Sequence, residues 1–296
     1  MIAPGLVRVP TGIANAYLLG APEKWVLVDT GLDGYSKAII EAAEQHFGPG
    51  AQPLAIVLTH GHFDHTANAN TLAERWRVSI YAHRLEIPFV NGSNKYPPPD
   101  PTVGGFMAQM IRLFPNRRMD LSARLRELTP GNLPWLEEWQ IIETPGHTPG
   151  HVSFYRSHDG TLIAGDAFTT VNQDSALDML TQRQQVWRPP AYYTCDWQSA
   201  EASVKKLAQL SPATLAAGHG VPMAGDEATQ QLRALAEDFP VPHYGRYVSK
   251  PAVTDEQGII ELPPPVPDPV KRTALLGLAV AGAATSVWWA TRKKAA

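Results

Sequence analysis

Thr59-His60-Gly61-His62-Phe63-Asp64-His65 puts three imidazoles and a carboxylate within six residues. The stretch follows an apolar run, Leu54-Ala55-Ile56-Val57-Leu58, with Pro53 before it and Gly61 after it. A short apolar run with β-branched side chains and such punctuation reads as a buried strand. A strand that ends in a Gly-containing turn aims several side chains into one space. Imidazole and carboxylate donors together suit a borderline or hard divalent cation, zinc above all. A surface turn gains nothing from so dense a cluster.

Upstream, Leu6-Val7-Arg8-Val9, Ala16-Tyr17-Leu18-Leu19 and Trp25-Val26-Leu27-Val28 read as short strands of an antiparallel meander, with Gly and Pro at the turns. The third runs into Asp29-Thr30-Gly31. Asp29 caps that turn, holds a ligand-bearing loop from behind, or does both. Ala38, Ile39, Ala42, Ala43 and Phe47 have helical spacing over 36–47, and Gly48-Pro49-Gly50 stops the helix. Downstream, the pattern predicts a helix over Thr66–Trp76, its positive end behind the His-rich loop, and a strand at Val78–Tyr81. Strand, helix and strand in that order imply α/β layering.

The motif then recurs. Trp139-Gln140-Ile141-Ile142 leads to Pro145-Gly146-His147-Thr148-Pro149-Gly150-His151. Val152–Tyr155 and Thr161–Ala164 read as a hairpin around Asp159-Gly160, ending in Gly165-Asp166. Asp196 is the expected N-cap of a helix with Trp197, Ala200, Val204, Leu207 and Leu210 on one face. Ala213–Ala217 is a last buried strand before Gly218-His219-Gly220, and 228–239 a closing helix. Four times, then, an apolar strand ends beside a glycine and a His or Asp follows.

Residues 88–136 break this rhythm. Pro97-Pro98-Pro99-Asp100-Pro101 excludes helix and central strand. The stretch reads as a cap-like insertion beside the site. Phe106, Met107, Met110 and Phe114 either form an apolar wall there or pack the insertion onto the body.

Composition narrows the function classes. With 296 residues, 44% hydrophobic and 18% charged, the chain can bury a full core. The formal net charge of −3, with no basic run in the body, gives no electrostatic ground for nucleic-acid binding. Cys195 is the only cysteine, so no intramolecular disulfide forms, and it reads as a packing residue. Met1-Ile2-Ala3-Pro4-Gly5 shows no secretory signal pattern.

His60-x-His62-x-Asp64-His65, the His147 of Pro145-Gly146-His147-Thr148, Gly165-Asp166, Gly218-His219-Gly220 and the early Asp29 together resemble the metallo-β-lactamase superfamily over residues 1–240. The resemblance implies an α/β (α+β) fold, a four-layer αββα sandwich with its site at one edge between two sheets. It implies two divalent metal ions, Zn2+ first, with Fe or Mn as alternatives. His60, His62 and His147 would hold one ion; Asp64, His65 and His219 the other; Asp166 and a water-derived hydroxide would bridge them. His151 would sit behind the ligands. Asp64, where some lactamases carry Cys, points to the glyoxalase II-like branch. His46, His83, His158 and His243 match no motif.

The chemistry also follows from the donors themselves. Two divalent cations lower the pKa of a bound water from about 15.7 toward about 7 and take up charge on a carbonyl oxygen. Asp64 and Asp166 are the expected catalytic carboxylates, Asp64 orienting the nucleophile or relaying a proton. No Gly-x-Ser-x-Gly elbow is present. The expectation is hydrolysis of an ester, thioester, lactone or related bond in a small molecule. A mononuclear-iron, persulfide dioxygenase-like oxidoreductase and a non-hydrolytic metal-binding protein are the competing readings. The segment from Gln185 to Trp197 resembles bacterial metallo-hydrolases whose substrates are unassigned. Phe168, Arg188, Tyr192 and Tyr193 line the substrate pocket or pack loops.

The composition shifts at the C-terminus. Residues 241–270, with Leu262-Pro263-Pro264-Pro265-Val266-Pro267-Asp268-Pro269, read as an extended Pro-rich linker. The uncharged stretch 273–291 lies between Lys271-Arg272 and Arg292-Lys293-Lys294, with Trp288 and Trp289 near one end. A helix of that length spans roughly 28 Å, close to a bilayer core of about 30 Å. The expectation is a C-terminal hydrophobic helix, a transmembrane anchor over 271–296, with the catalytic domain on the cytoplasmic side. The competing reading is a helix docked on the domain or lying on a membrane surface.

Overall fold

The computed structural model describes residues 2–114 and 118–270. The N-terminal meander is β1 (Leu6–Thr11), β2 (Ala14–Ala21) and β3 (Lys24–Val28), paired antiparallel. Parallel to β3 and to one another follow β4 (Ile56–Val57), β5 (Ile80–Ala82) and β6 (Leu125–Glu127), which complete a six-stranded sheet in chain order. The second sheet also follows chain order: β7 (Gly131–Leu133), β8 (Leu136–Glu143), β9 (Val152–Arg156), β10 (Thr161–Gly165), β11 (Thr214–Ala217) and β12 (Met223–Ala224). Only its β10–β11 pairing is parallel, which brings the C-terminal ends of those two strands side by side.

Side chains alternate between the two faces of a strand. Trp25 and Leu27 of β3 therefore pack outward, while Val26 and Val28 pack toward the second sheet. On β10, Leu162 and Ala164 face outward and Ile163 faces the first sheet. Burial on both faces explains why these strands read as continuous apolar runs.

Helices cover the outer faces. On the first sheet, α1 (Ser36–Phe47) buries Ile39 and Ala43. The short α2 (Phe63–Thr66) carries Asp64 and His65. Behind it, α3 (Ala69–Trp76) buries Leu72 and Trp76. The expected helix from Thr66 is thus two helices. At the break, the Asn68 amide donates to the Thr30 and Leu32 carbonyls. The strand expected over 54–58 is regular only at Ile56–Val57, although Leu54 N–H donates to the Trp25 carbonyl and Leu58 N–H to the Tyr81 carbonyl, and the Leu54 side chain is exposed.

Part of the stretch 88–136 belongs to the sheets, because it contains the edge strands β6 and β7. The remainder holds α4 (Ile87–Val90) and α5 (Phe106–Met110). Met107 is buried beside Tyr192, while Phe106 and Phe114 are partly exposed. The Phe114 ring stacks on Phe63.

The short α6 (Ala176–Thr181) packs Met179 near Met107 and Tyr192, and α7 (Trp197–Gln209) and α8 (Asp226–Glu237) cover the second sheet. Asp196 caps α7, its carboxylate accepting from the Ser199 N–H. Val204, Leu207, Leu232 and Leu235 close the layer. The order of layers is helix, sheet, sheet, helix.

Residues 241–270, read from the sequence as an extended Pro-rich linker, pack partly on the body. Tyr247 is buried among Ala191, Cys195 and Trp197. A hairpin of β13 (Val253–Asp255) and β14 (Gly258–Glu261) follows, and Arg112 donates twice to the Asp268 carboxylate. Extended proline-rich backbone lies along a protein surface as readily as it spans solvent. The expected hydrophobic helix and membrane anchor over 271–296 lie outside the described residues. Among the described residues no helix is long and apolar enough to cross a membrane.

Candidate metal centre

Five strand ends meet at one edge of the sandwich. Asp29 follows β3, His60 and His62 follow β4, His147 follows β8, Asp166 follows β10 and His219 follows β11. Backbone hydrogen bonds tie the two sheets together there. Asn15 N–H donates to the Gly218 carbonyl at 2.8 Å, and Val152 N–H to the Thr59 carbonyl at 2.9 Å. The Tyr17 hydroxyl and the Asn15 amide both donate to the Ala217 carbonyl. Burial and the nearby Asp29 and Asp166 keep the Tyr17 phenol protonated against the opposing pull of Arg8 and Asn15.

The donors gather in overlapping sets: His60, His62 and His147; Asp64, His65 and His219; and His60, His65 and Asp166. Within each set the donor atoms lie within 4.8 Å of one another, and all seven residues are buried. Asp166 occupies the middle. Its Oδ2 lies 3.1 Å from His219 Nε2, 3.5 Å from His147 Nε2 and 4.0 Å from His60 Nε2. Its Oδ1 lies 3.5 Å from His65 Nε2. His62 Nδ1 and His147 Nε2 face each other at 3.0 Å.

Hydrogen bonds behind the rings set which nitrogen faces inward. His219 Nδ1 donates to the Ile13 carbonyl at 2.7 Å. His65 Nδ1 meets Asp29 Oδ2, and His60 Nδ1 meets the Thr59 hydroxyl, which donates onward to Asp29. In each ring Nε2 is left facing the centre. Asp29 thus backs two imidazoles and also accepts the Thr59 N–H. It does so from a left-handed backbone, φ +58°, a region that Asp tolerates better than most residues. His151 also stands behind the donors. Its Nε2 accepts the Asp166 N–H at 2.8 Å and its Nδ1 faces the Thr144 hydroxyl.

Burial, with the neighbouring imidazoles, holds His60 and His62 well below the usual histidine range. Burial takes His147 down to about 3 and His151 to about 4. These rings are neutral at pH 7, the form in which imidazole binds metal. Burial also works against charge on His65 and His219, but Asp166, with Asp29 for the first and Asp64 for the second, outweighs it and raises both. For Asp166, His219 and His65 overcome burial and keep the carboxylate ionised.

A cation fits this arrangement. His60 Nε2, His65 Nε2 and Asp166 Oδ1 are buried with no hydrogen-bond partner. Polar atoms left so cost about 1–3 kcal/mol each. Divalent cations held among these donors would satisfy all three. The backbone at Gly218 leaves the space open: a Cβ there would stand 2.1 Å from Asp166 Oδ1.

The four residues expected at the pocket separate. Tyr193 stacks on His62, ring centroids 4.2 Å apart, and lines a cavity of about 270 Å³ that opens there. Tyr192 is buried beside it, its hydroxyl donating to Gln173. Phe168 is a core residue of the second sheet, fully buried among Leu162, Leu215 and Val186. Arg188 is held away from the cavity by Asp174 and the Pro240 carbonyl.

Two further residues carry no motif. The buried Glu86 carboxylate accepts the Gly61 N–H at 3.0 Å, the Gly150 N–H at 2.7 Å and the Tyr96 hydroxyl. It joins the His60–His62 loop to the His147–His151 loop. Burial raises its pKa, against the three donors. The Tyr96 ring packs on His62 and Phe89.

Residues 9–219 match the family described as the metallo-beta-lactamase superfamily. The chain is 42% identical over 239 residues to the probable metallo-hydrolase YflN of Bacillus subtilis (strain 168), covering 79% of this chain and 90% of that one. It resembles the di-iron-bound form of TTHA1623 at 26% identity and a TM-score of 0.53, covering 79% of this chain and 98% of that one. Likeness to the glyoxalase II-like branch is more distant. A hydroxyacylglutathione hydrolase of Synechococcus sp. (strain JA-2-3B'a(2-13)) is 26% identical over 118 residues, 40% of this chain and 35% of that one.

Proposed function

This chain belongs to the metallo-beta-lactamase superfamily, and from that premise we propose that it is a metal-dependent hydrolase of a small-molecule ester, thioester or lactone. The observation that carries the reading is the gathering of seven buried donor residues, Asp166 among them, in overlapping sets, with three of their atoms unpaired. His60, His62 and His147 would hold one divalent ion, and Asp64, His65 and His219 a second, with Asp166 between them. Zinc suits this donor set, and iron or manganese are the alternatives. Such ions supply Lewis acidity, making bound water acidic near neutral pH and polarising an acyl oxygen.

The residues of the chain supply the rest. Asp29, with Thr59, keeps His60 and His65 in one tautomer. Asp166, held ionised, orients water beside the donors. Asp64 Oδ2, 3.5 Å from His219, is placed to accept and pass on a proton. Tyr193 and Tyr96 shield His62 from bulk water.

Metal analysis and turnover test this together. Purified protein should carry about two equivalents of divalent metal and hydrolyse members of a panel of thioesters, aryl esters and lactones, with Asp64→Ala as control. A folded protein with near-zero metal refutes the reading. So does an iron protein that consumes oxygen and cleaves no ester.

A further inference from the structure

The cavity at His62 constrains what a substrate can be. Its volume of about 270 Å³ lies just below the usual ligand-pocket range of about 300–1,000 Å³, which suits a small molecule rather than a polymer. Phe63, Tyr96, Met119 and Tyr193 give it an aromatic and apolar body. Lys95 and Arg118 also line it, both exposed. Neither has a carboxylate partner among the described residues. Asp33 is the one carboxylate among the lining residues, so the cationic groups outnumber it.

Resting on the hydrolase reading, we propose that the substrate is an anion. Its apolar or aromatic body seats against Phe63, Met119 and Tyr193, and its carboxylate or phosphate is met by Lys95 and Arg118. A cleft with low-dielectric walls concentrates the field of its charges, so two unpaired cations raise the local concentration of anions. Charge-assisted hydrogen bonds then hold the anionic end. The acyl carbon is left on the His62 side. Water adds its oxygen to that carbon, the C–O or C–S bond breaks, and the departing alcohol or thiol takes a proton.

The metal-loaded full chain is assayed with para-nitrophenyl butyrate and with its glutarate and phosphonobutyrate counterparts, which share a leaving group. The anionic esters are expected to have kcat/KM higher by about tenfold, the scale of two modest ion pairs, with the ratio falling as salt rises. In a Lys95→Ala/Arg118→Ala variant the ratio is expected to fall toward one. A preference for glutarate or for phosphonobutyrate names the anion. Calorimetric binding of the uncleavable amide analogues gives a second readout that does not need turnover. Equal kcat/KM for neutral and anionic esters overturns the anion preference and leaves the hydrolase reading in place. No turnover of any ester, with anion-selective amide binding lost in the double variant, does the reverse.

Discussion

Asp29 Oδ2 lies 2.9 Å from His65 Nδ1. Through Thr59 the same carboxylate also reaches His60, so one side chain orients rings from both donor sets.

Replacing Asp29 should therefore loosen both halves of the site together. Groups behind metal ligands typically contribute about 10–100-fold in affinity. Asp29→Asn is expected to weaken metal binding on that scale, measured by chelator competition on protein with an unchanged circular dichroism spectrum. Wild-type affinity in a folded variant would contradict the assignment.

Glu86 ties together two loops that each bear histidines. Glu86→Gln keeps one acceptor but presents an amide to the other N–H, and Glu86→Ala leaves both amides buried and unpaired. Each lost partner costs about 1–3 kcal/mol. The expected order of metal affinity and of metal-free thermal stability is wild type, then Gln, then Ala. Equal stability of all three would show that the loops hold without the bridge.

Gly218 faces Asp166 and His65 so closely that a methyl group has no room. An added Cβ meets Asp166 Oδ1 at 2.1 Å and His65 Cε1 at 2.6 Å. Gly218→Ala is expected to displace Asp166, lower the bound metal and cost about 1–3 kcal/mol of overpacking. Metal analysis and urea unfolding of the purified variant report the two effects. Full metal content would mean that the centre tolerates a shifted carboxylate.

The His151 ring makes a specific prediction for acid. Burial depresses its pKa from 6.5 in the unfolded chain to about 4 in the folded one. Below pH 6.5 the unfolded state takes up a proton that the folded state refuses, so stability falls as pH drops from 6.5 to about 4. The slope from this ring is about 1.4 kcal/mol per pH unit. Below the folded pKa the loss from this group is complete. His151→Gln keeps an acceptor for the Asp166 N–H and removes the titration. Its metal-free form should show a shallower acid slope by that amount in urea unfolding at stepped pH. An unchanged slope would mean that other histidines account for all of it.

The strand ends could be read in the sequence because they combine two local signals, apolar runs that stop at a glycine and donor residues directly after. The four stretches so marked contain the seven side chains that lie together in the fold, and the family resemblance named them individually. Glu86 gave no such signal. His83-Arg84-Leu85-Glu86 has the composition of an exposed turn, and its burial follows from the approach of Gly61 and Gly150, distant in sequence. For Phe168 and Arg188 the sequence left pocket lining and packing both open, because nearness to a ligand or an aromatic along the chain does not fix direction. One points into the second-sheet core and the other onto Asp174. The hairpin at 253–261 was hidden by its proline-rich surroundings, and it is anchored by contacts far away in the chain, such as Asn94 to the Gln257 carbonyl.

Both sheets are laid down in chain order, β1–β6 before β7–β12. Translation therefore finishes one sheet before the other begins. His60, His62, Asp64 and His65 leave the ribosome long before His147, Asp166 and His219. An ion caught early meets only part of its cage, and no half-length product can hold it as the whole chain does. With the proposed centre, metal retention would report that both halves have been made and have met, and a chain cut before His147 would lack the donors to keep the ion.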